Sequence, residues 1–468
     1  MSKRARILFV SPETPRPTGT GGRVRSWHLL RALSKDYQVT LLLLNRDELE
    51  MDPELARNCV RLIRPAAGAR KPPVSAWRSR LKSVGVVAFP WQQQWATLAS
   101  YAGQYCQGRG TNGGPRSTRI LSALLGWEFR AAARFFAVPP MLTLYLRNGA
   151  ANVSPQVKSL LAAENYEILW YEHSFCHPVA VDLLPANQHP LVVCSTQNVE
   201  SKLQSRCAAI ARTTAEERWL SLQSQLLQKV EVKAFQDCQL AVACSESDES
   251  LIANLAPGAN TLVLANGVDT SYFRPPTGSV RNPLPTILFT AGFAYQANHD
   301  AIDWFIRDIF PLVRQAVPQA RFVFAGLAAQ AAFDRMQDRP EGVGCVSDPA
   351  DIRPQFQDAW VFVVPLRAGG GTRLKILEAM AMELPVVSTR IGAEGVPYQD
   401  GEHLLLADSP PEFAQAVVRL LQSADLRCRI AETGARFARD HYDWTALTAT
   451  IGSKLNSMLS GDKGAVAA

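Results

Sequence analysis

The sequence predicts an α/β protein made of two doubly wound parallel-sheet domains, and three stretches carry that expectation. The chain opens with strand, loop, helix and strand, which is how a doubly wound sheet begins. From residue 286 to 406, short apolar runs alternate with helical patterns. Within that run, residues 361–389 read as strand, glycine loop, helix and strand. Val361-Phe-Val-Val ends at Pro365, and Gly369, Gly370 and Gly371 follow. Leu374, Leu377, Ala381 and Leu384 then recur at helical spacing, and Pro385 stops the helix before Val386 and Val387.

Composition bounds the rest. A length of 468 residues allows two or three domains, and 47% hydrophobic with 19% charged residues is ordinary for a soluble globular chain. Nine cysteines at irregular spacing include no C-x-x-C pair, which argues against a zinc site or disulfide framework and suits a reducing compartment. The apolar run 7–10 is too short for a signal-peptide core, and no run approaches the ~18 apolar residues of a membrane span. Cytoplasmic residence is expected, with a peripheral place at the inner face of a membrane left open.

In chain order, residues 7–10 read as a strand, 11–22 as a Pro/Gly loop, 24–33 as a helix and 39–44 as a second strand. Gly19 and Gly21 begin a G-x-G-x-x-G comparison that fails at Val24. From 61 to 147 there are thirteen Lys and Arg against one acid, Glu128, together with Trp77, Trp91, Trp95 and Trp127. This segment holds most of the excess behind the net charge of +7. Mixed cations and aromatics suggest an anionic partner, with a solvated helical insertion as the plain alternative. No nucleic-acid motif accompanies them, so an anionic membrane surface is the expected partner.

Residues 166–171 form an expected strand that ends in Glu172 and His173, with the next strand at 190–195. Asn198 and Glu200 follow it. A helix is expected within 213–242, from the spacing of Leu220, Leu226, Leu227, Val230 and Phe235, with a strand at 240–245. A Pro-rich linker runs to Pro285. Then come strand 286–292, helix 301–316, strands 321–324 and 342–346, helix 352–356, strand 360–364, a last strand and helix at 404–406 and 411–421, and a terminal helix 441–459.

The glycine loop carries the chemistry. It brings backbone N–H groups close to a ligand and aims a helix N-terminus at it, so the expected ligand is an anion. Arg373 and Lys375 oppose the helix dipole in the first turn unless a phosphate neutralises them. Glu378 stands one turn later, placed to accept from sugar hydroxyls, and Glu394 is a further acid for the same site.

The run Gly371-Thr-Arg-Leu-Lys-Ile-Leu-Glu-Ala-Met-Ala-Met-Glu-Leu-Pro-Val-Val387 resembles the nucleotide-sugar loop of family 4 retaining glycosyltransferases, also called glycosyl transferases group 1. Those enzymes have the GT-B fold, two Rossmann-like domains facing each other across a cleft. Asn266-Gly-Val-Asp269, followed by Arg274-Pro-Pro, resembles the family's interdomain junction. The likeness is strong over 261–460 and weaker before. It divides the chain into an acceptor-side domain 1–264 with the basic insertion 61–147, a linker 265–285, a nucleotide-sugar domain 286–440, and a helix 441–460 returning to the first domain. It implies that a sugar passes from a nucleotide-diphosphate sugar to a hydroxyl of a glycan or lipid-linked acceptor with retention, as in bacterial exopolysaccharide systems.

The resemblance also assigns residues. Gly21 and Gly22 close over the donor, and Gly292, Gly370, Gly371, Thr372, Arg373, Leu374 and Lys375 bind it. Glu378 holds the ribose, and either Glu172 or His173 fills the place of a strand-end histidine near the transferred sugar. No cofactor or metal is expected. Gly370 stands where the family has the first of two glutamates, and Phe293, Asn298 and His299 stand where it has an arginine and a lysine. Two rivals follow: a nucleotide-sugar epimerase of the same fold, which needs no acceptor, and a non-catalytic nucleotide-sugar binding protein.

Overall fold

The computed structural model describes residues 4–44, 52–59, 61–63, 155–211, 213–276, 278, 282–293, 295–336 and 339–460. Apart from 61–63, the basic segment 61–147 lies outside the described residues. The chain forms two compact units. One comprises described residues within 1–16, 33–242 and 250–262, and the other those within 17–32, 243–249 and 263–468.

The first unit is built on seven strands: β1 (Arg6–Ser11), β2 (Gln38–Leu43), β3 (Arg61–Ile63), β4 (Ile168–Glu172), β5 (Leu191–Ser195), β6 (Leu240–Ala243) and β7 (Thr261–Val263). Their order is β3-β2-β1-β4-β5-β6-β7. The pairs from β3 across to β6 are parallel. Such sheets are covered on both faces, so their strands read as unbroken apolar runs, as Ile7-Leu-Phe-Val does. Phe9 stacks on Trp170 across β1 and β4, with centroids 5.9 Å apart.

The second unit has six strands: β8 (Thr286–Thr290), β9 (Arg321–Gly326), β10 (Val343–Ser347), β11 (Val361–Val364), β12 (Val386–Ser388) and β13 (Leu405–Leu406). They are ordered β10-β9-β8-β11-β12-β13 and pair in parallel. Phe289, Phe293, Phe305, Phe310, Phe322 and Phe324 fill its core through ring contacts of 4.4–6.2 Å. Each sheet therefore has the predicted doubly wound form. Strand order reverses between β1 and β4 in one and between β8 and β11 in the other. At such switch points the loops leaving the strand ends diverge and open a crevice for ligand.

Several helices were not expected, among them Pro155–Ala162, Glu200–Ala209, Glu246–Leu255 and Ala329–Asp334, and three further differences lie in the second unit. The single helix expected over 301–316 is Gln296–Trp304, a π-turn at Phe305–Ile309 and Phe310–Ala316. Pro311 has no N–H for the regular ladder, and the turn widens just ahead of it. The nineteen-residue helix Ala424–Tyr442 has no counterpart in the sequence reading. It also claims His441 and Tyr442, which were expected to open the terminal helix. Asp443 breaks the helix with extended backbone and accepts from the Thr445 N–H at 2.9 Å, capping Trp444–Thr448, and Ile451–Leu459 follows.

Candidate active site

In the second unit, the loops after β8 and β11 flank the switch point. The β11 loop runs through the three glycines into the helix Leu374–Ala381. Gly371 has φ +65°, the left-handed conformation that glycine adopts without strain, and this lets the loop double back. Three anchors hold the loop. Arg367 makes a bidentate pair with buried Asp300 on the helix after β8, at 2.9 and 2.5 Å. Thr372 Oγ1 donates to the Cys244 carbonyl at 2.9 Å. Arg373, 7% exposed, donates to the carbonyls of Gly370, Gly371 and Ile391. The Arg373 guanidinium is thus bound to the loop's own backbone.

Lys375 is half-buried, and its Nζ lies 4.4 Å from the Phe289 ring centre and 3.4 Å from Asn298 Oδ1. The Asn298 amide in turn donates to the Gly292 carbonyl at 2.8 Å. Lys375 therefore bridges from the β11 loop to the β8 loop. Burial pulls its pKa down to about 7, with Arg373 pushing the same way and Glu378 opposing. Burial likewise pushes Glu378 up to about 7, against the pull of Lys375. A Cβ at Gly292 would meet nothing within 4 Å, so open space adjoins this bridge. Gly21 and Gly22 open the helix Gly21–Asp36, and a Cβ on Gly21 would lie 3.3 Å from Leu374 Cδ1. The structure thus brings together Gly21, Leu374, Lys375, Asn298 and Gly292.

In the first unit, Glu172 ends β4 at the other switch point and His173 follows it. Glu172 is fully buried, and its carboxylate accepts from Trp170 Nε1 at 2.8 Å and Gln197 Nε2 at 3.0 Å. His173 has φ +67°, uncommon for a side-chain-bearing residue. Its ring stacks on Phe175, centroids 4.7 Å apart, and its Nδ1 lies 3.7 Å from Glu200 Oε1. Burial is the largest single influence and works against the imidazolium, but Glu200, Glu172 and Glu13 together outweigh it, so the pKa of His173 is raised. Glu200 accepts from Asn198 Nδ2 at 3.1 Å. Glu231 was missed in the sequence. It lies among the apolar residues of the helix Thr214–Asp237, where only its acid in an otherwise apolar stripe could have marked it.

Among the described residues, no group of three or more His, Cys, Asp or Glu side chains is placed to hold a metal ion. No helix among them is long and apolar enough to cross a membrane.

Comparison with known proteins fits this geometry. The Mycobacterium leprae phosphatidyl-myo-inositol mannosyltransferase is 26% identical over 208 residues, 42% of this chain and 53% of the relative. The chain spans about half the length of the curated relatives it matches. Thermosynechococcus elongatus sucrose-phosphate synthase superposes with a TM-score of 0.62 at 14% identity, covering 98% of this chain and 100% of the other. Anabaena HepE, solved in complex with UDP and glucose, superposes with a TM-score of 0.57 at 12% identity, covering 97% and 100%. These neighbours share the GT-B fold. Residues 284–423 match the family described as Glycosyl transferases group 1 and hold the whole β8–β13 sheet with its glycine loop, so the chain carries a glycosyl transferases group 1 domain.

Proposed function

We propose that the protein is a retaining glycosyltransferase. It would take a sugar from a nucleotide-diphosphate sugar and place it on a hydroxyl of a glycan or lipid-linked acceptor in polysaccharide or glycolipid synthesis. The observation that carries this reading is the half-buried Lys375 ammonium beside the glycine loop at the β8/β11 switch point. A lysine whose pKa falls to about 7 is short of negative charge, and a diphosphate supplies it. The loop amides and the helix N-terminus at Leu374 add to the stabilisation of the leaving diphosphate, so we propose that no metal is needed. Glu378, one turn along, faces the same region and is assigned to the ribose hydroxyls. Arg373 shapes the loop from within.

Of the two groups at the end of β4, we assign the action on the transferred sugar to His173. The Glu172 carboxylate is committed to Trp170 and Gln197, whereas the His173 side chain keeps 15% exposure. Retention is supported by the likeness of the 371–387 run to retaining enzymes. Docking on anionic lipid through 61–147 is proposed on charge alone.

The test is a thermal-shift screen of nucleotide diphosphates and their sugars. Saturation at a hundred times the dissociation constant should add about 2.7 kcal/mol of stability. Transfer is then assayed with glycan and lipid-linked acceptors, with and without chelator, reading the anomeric configuration of the product by NMR. If no nucleotide diphosphate stabilises the protein, the reading fails. An inverted product would remove retention alone, and donor conversion without acceptor would favour an epimerase.

A further inference from the structure

Glu231 is wholly buried in the first unit, on a helix face it shares with Leu227, Val230, Ala234 and Phe235. A carboxyl placed there is costly unless hydrogen bonds compensate. Hydrogen bonds do so: the Glu200 N–H to Oε1 at 2.6 Å, the Ser201 N–H to Oε2 at 3.2 Å, and Ser174 Oγ to Oε1 at 3.4 Å, with the Ser201 hydroxyl adding a further one. The first two donors open the helix Glu200–Ala209, whose N-cap position is Val199, a residue with no side-chain acceptor. The third belongs to the residue that follows His173. One carboxyl therefore binds both segments that carry the His173–Glu200 pair. The charge that acts on it is that of Glu200, of like sign, so attraction to a cation does not explain its place.

His173 needs such a support. Its positive φ is unfavourable for a residue with a Cβ, and it persists only where the surroundings over-determine it. The His173 N–H donates to the Ser195 carbonyl at 2.7 Å, and its own carbonyl accepts from the Cys176 N–H at 3.0 Å. These bonds fix the backbone, but they do not set the position of Glu200.

We propose that Glu231 is a positioning residue, a clamp that locks the segment after β4 to the helix after β5 and thereby sets the spacing between the His173 imidazole and the Glu200 carboxylate. The expected effect on turnover rests on the glycosyl-transfer reading above, while the clamp itself rests on geometry alone. The carboxyls facing His173 are Glu13 from the segment after β1, Glu172 from β4 and Glu200 from the next helix. Glu200 is the one whose distance the clamp controls.

The experiment follows the His173 ring by NMR titration in the full chain with labelled histidine, alongside kcat and KM for the donor and the affinity for nucleotide diphosphate. Glu200→Gln defines the full change when the partner charge is lost. Glu231→Gln keeps the shape but turns an acceptor into a donor facing an N–H, and Ser174→Ala removes one arm of the clamp while leaving the cap. In Glu231→Gln, the His173 titration should move toward the Glu200→Gln value. Ser174→Ala should move it the same way by less. Turnover in Glu231→Gln should fall about tenfold or more, with donor KM and nucleotide affinity within about twofold. If Glu231→Gln does not fold, Ser174→Ala carries the test. Folded variants whose His173 titrates as in the unaltered chain overturn the clamp, whatever their activity. A shifted titration in a protein that transfers no sugar upholds the clamp and rejects the transfer reading instead.

Discussion

Lys375 and Glu378 are one helical turn apart, and burial moves both toward neutrality near pH 7. Their signs give opposite demands on a bound nucleotide diphosphate. Below about 7 the ammonium is already charged, while above it binding must recruit a proton, so affinity should weaken as pH rises. The Glu378 carboxylate, needed to accept ribose hydroxyls, is lost as pH falls below about 7. Affinity should therefore peak near neutrality. Calorimetric titration with UDP from about pH 5.5 to 9 checks this. Lys375→Met should weaken binding about tenfold or more and abolish the alkaline limb, and Glu378→Gln should abolish the acid limb. Flat affinity across that range in the unaltered protein would remove both assignments. Arg373 differs, because its guanidinium serves the loop carbonyls. Arg373→Ala should lower the melting temperature as well as nucleotide affinity, since hydrogen bonds from a charged group contribute about 1.5–3 kcal/mol each. Weakened binding with unchanged stability would return Arg373 to direct ligand contact. The loop and its charges were legible because glycines and cations inside an apolar pattern are local signals. The use of Arg373 was not, since its partner Ile391 lies eighteen residues further on. Nor could the chain order choose between Glu172 and His173, where one residue of register separates a buried acceptor from a part-exposed ring.

The helix Leu374–Ala381 that carries this site is backed by Ala424–Tyr442, one of the helices the sequence reading lacked. Its buried stripe is Ile430, Ala431, Gly434, Ala435 and Ala438, so small residues supply the face and the apolar signal is weak. Small size is what the packing requires. A Cβ on Gly434 would lie 2.9 Å from the His403 carbonyl oxygen and 3.2 Å from Met380 Cγ on the helix Leu374–Ala381. Gly434→Ala sets a helix-propensity gain of about 1 kcal/mol against overpacking of typically 1–3 kcal/mol. The backbone carbonyl cannot move aside as a flexible side chain could, so the clash should win. Chemical denaturation should show a net loss of about 1 kcal/mol, together with weaker nucleotide binding through the displaced helix. A stabilised Gly434→Ala would mean that the two helices have slack. Strands were legible where burial on both faces makes a continuous apolar run, as in β1, β4, β8 and β11. The π-turn before Pro311 escaped notice because the apolar period continues through it.

Across the second unit, chain-distant segments meet at His28. The ring stacks on Trp444 with centroids 4.7 Å apart and meets Trp27 edge-on at the same distance. Beside it, Arg25 donates to the Leu264 carbonyl and Asn266 Oδ1 at 2.7 and 2.8 Å, and Thr270 Oγ1 donates to Asp443 at 2.6 Å. Residues 17–32, the 264–270 turn and the 443–444 corner are thus joined around one titratable group. Burial pulls the His28 pKa from 6.5 to about 3, with Arg31 adding to the shift and Asp269 and Asp443 opposing it. The folded value lies below the unfolded one, so the stability linked to the neutral ring is complete above about 6.5. It is lost as pH falls toward 3, at up to about 1.4 kcal/mol per pH unit. Acid should therefore loosen this junction. His28→Phe preserves an aromatic ring for the Trp444 stack and removes the titration. In acid denaturation followed by circular dichroism, its transition should lie at lower pH than that of the unaltered chain, while the two proteins differ little near pH 8. Carboxylates elsewhere also titrate in this window, but they are common to both proteins and cancel in the comparison. Coincident acid transitions would show that the ring gains its proton without disturbing the junction, which would make His28 ordinary packing material.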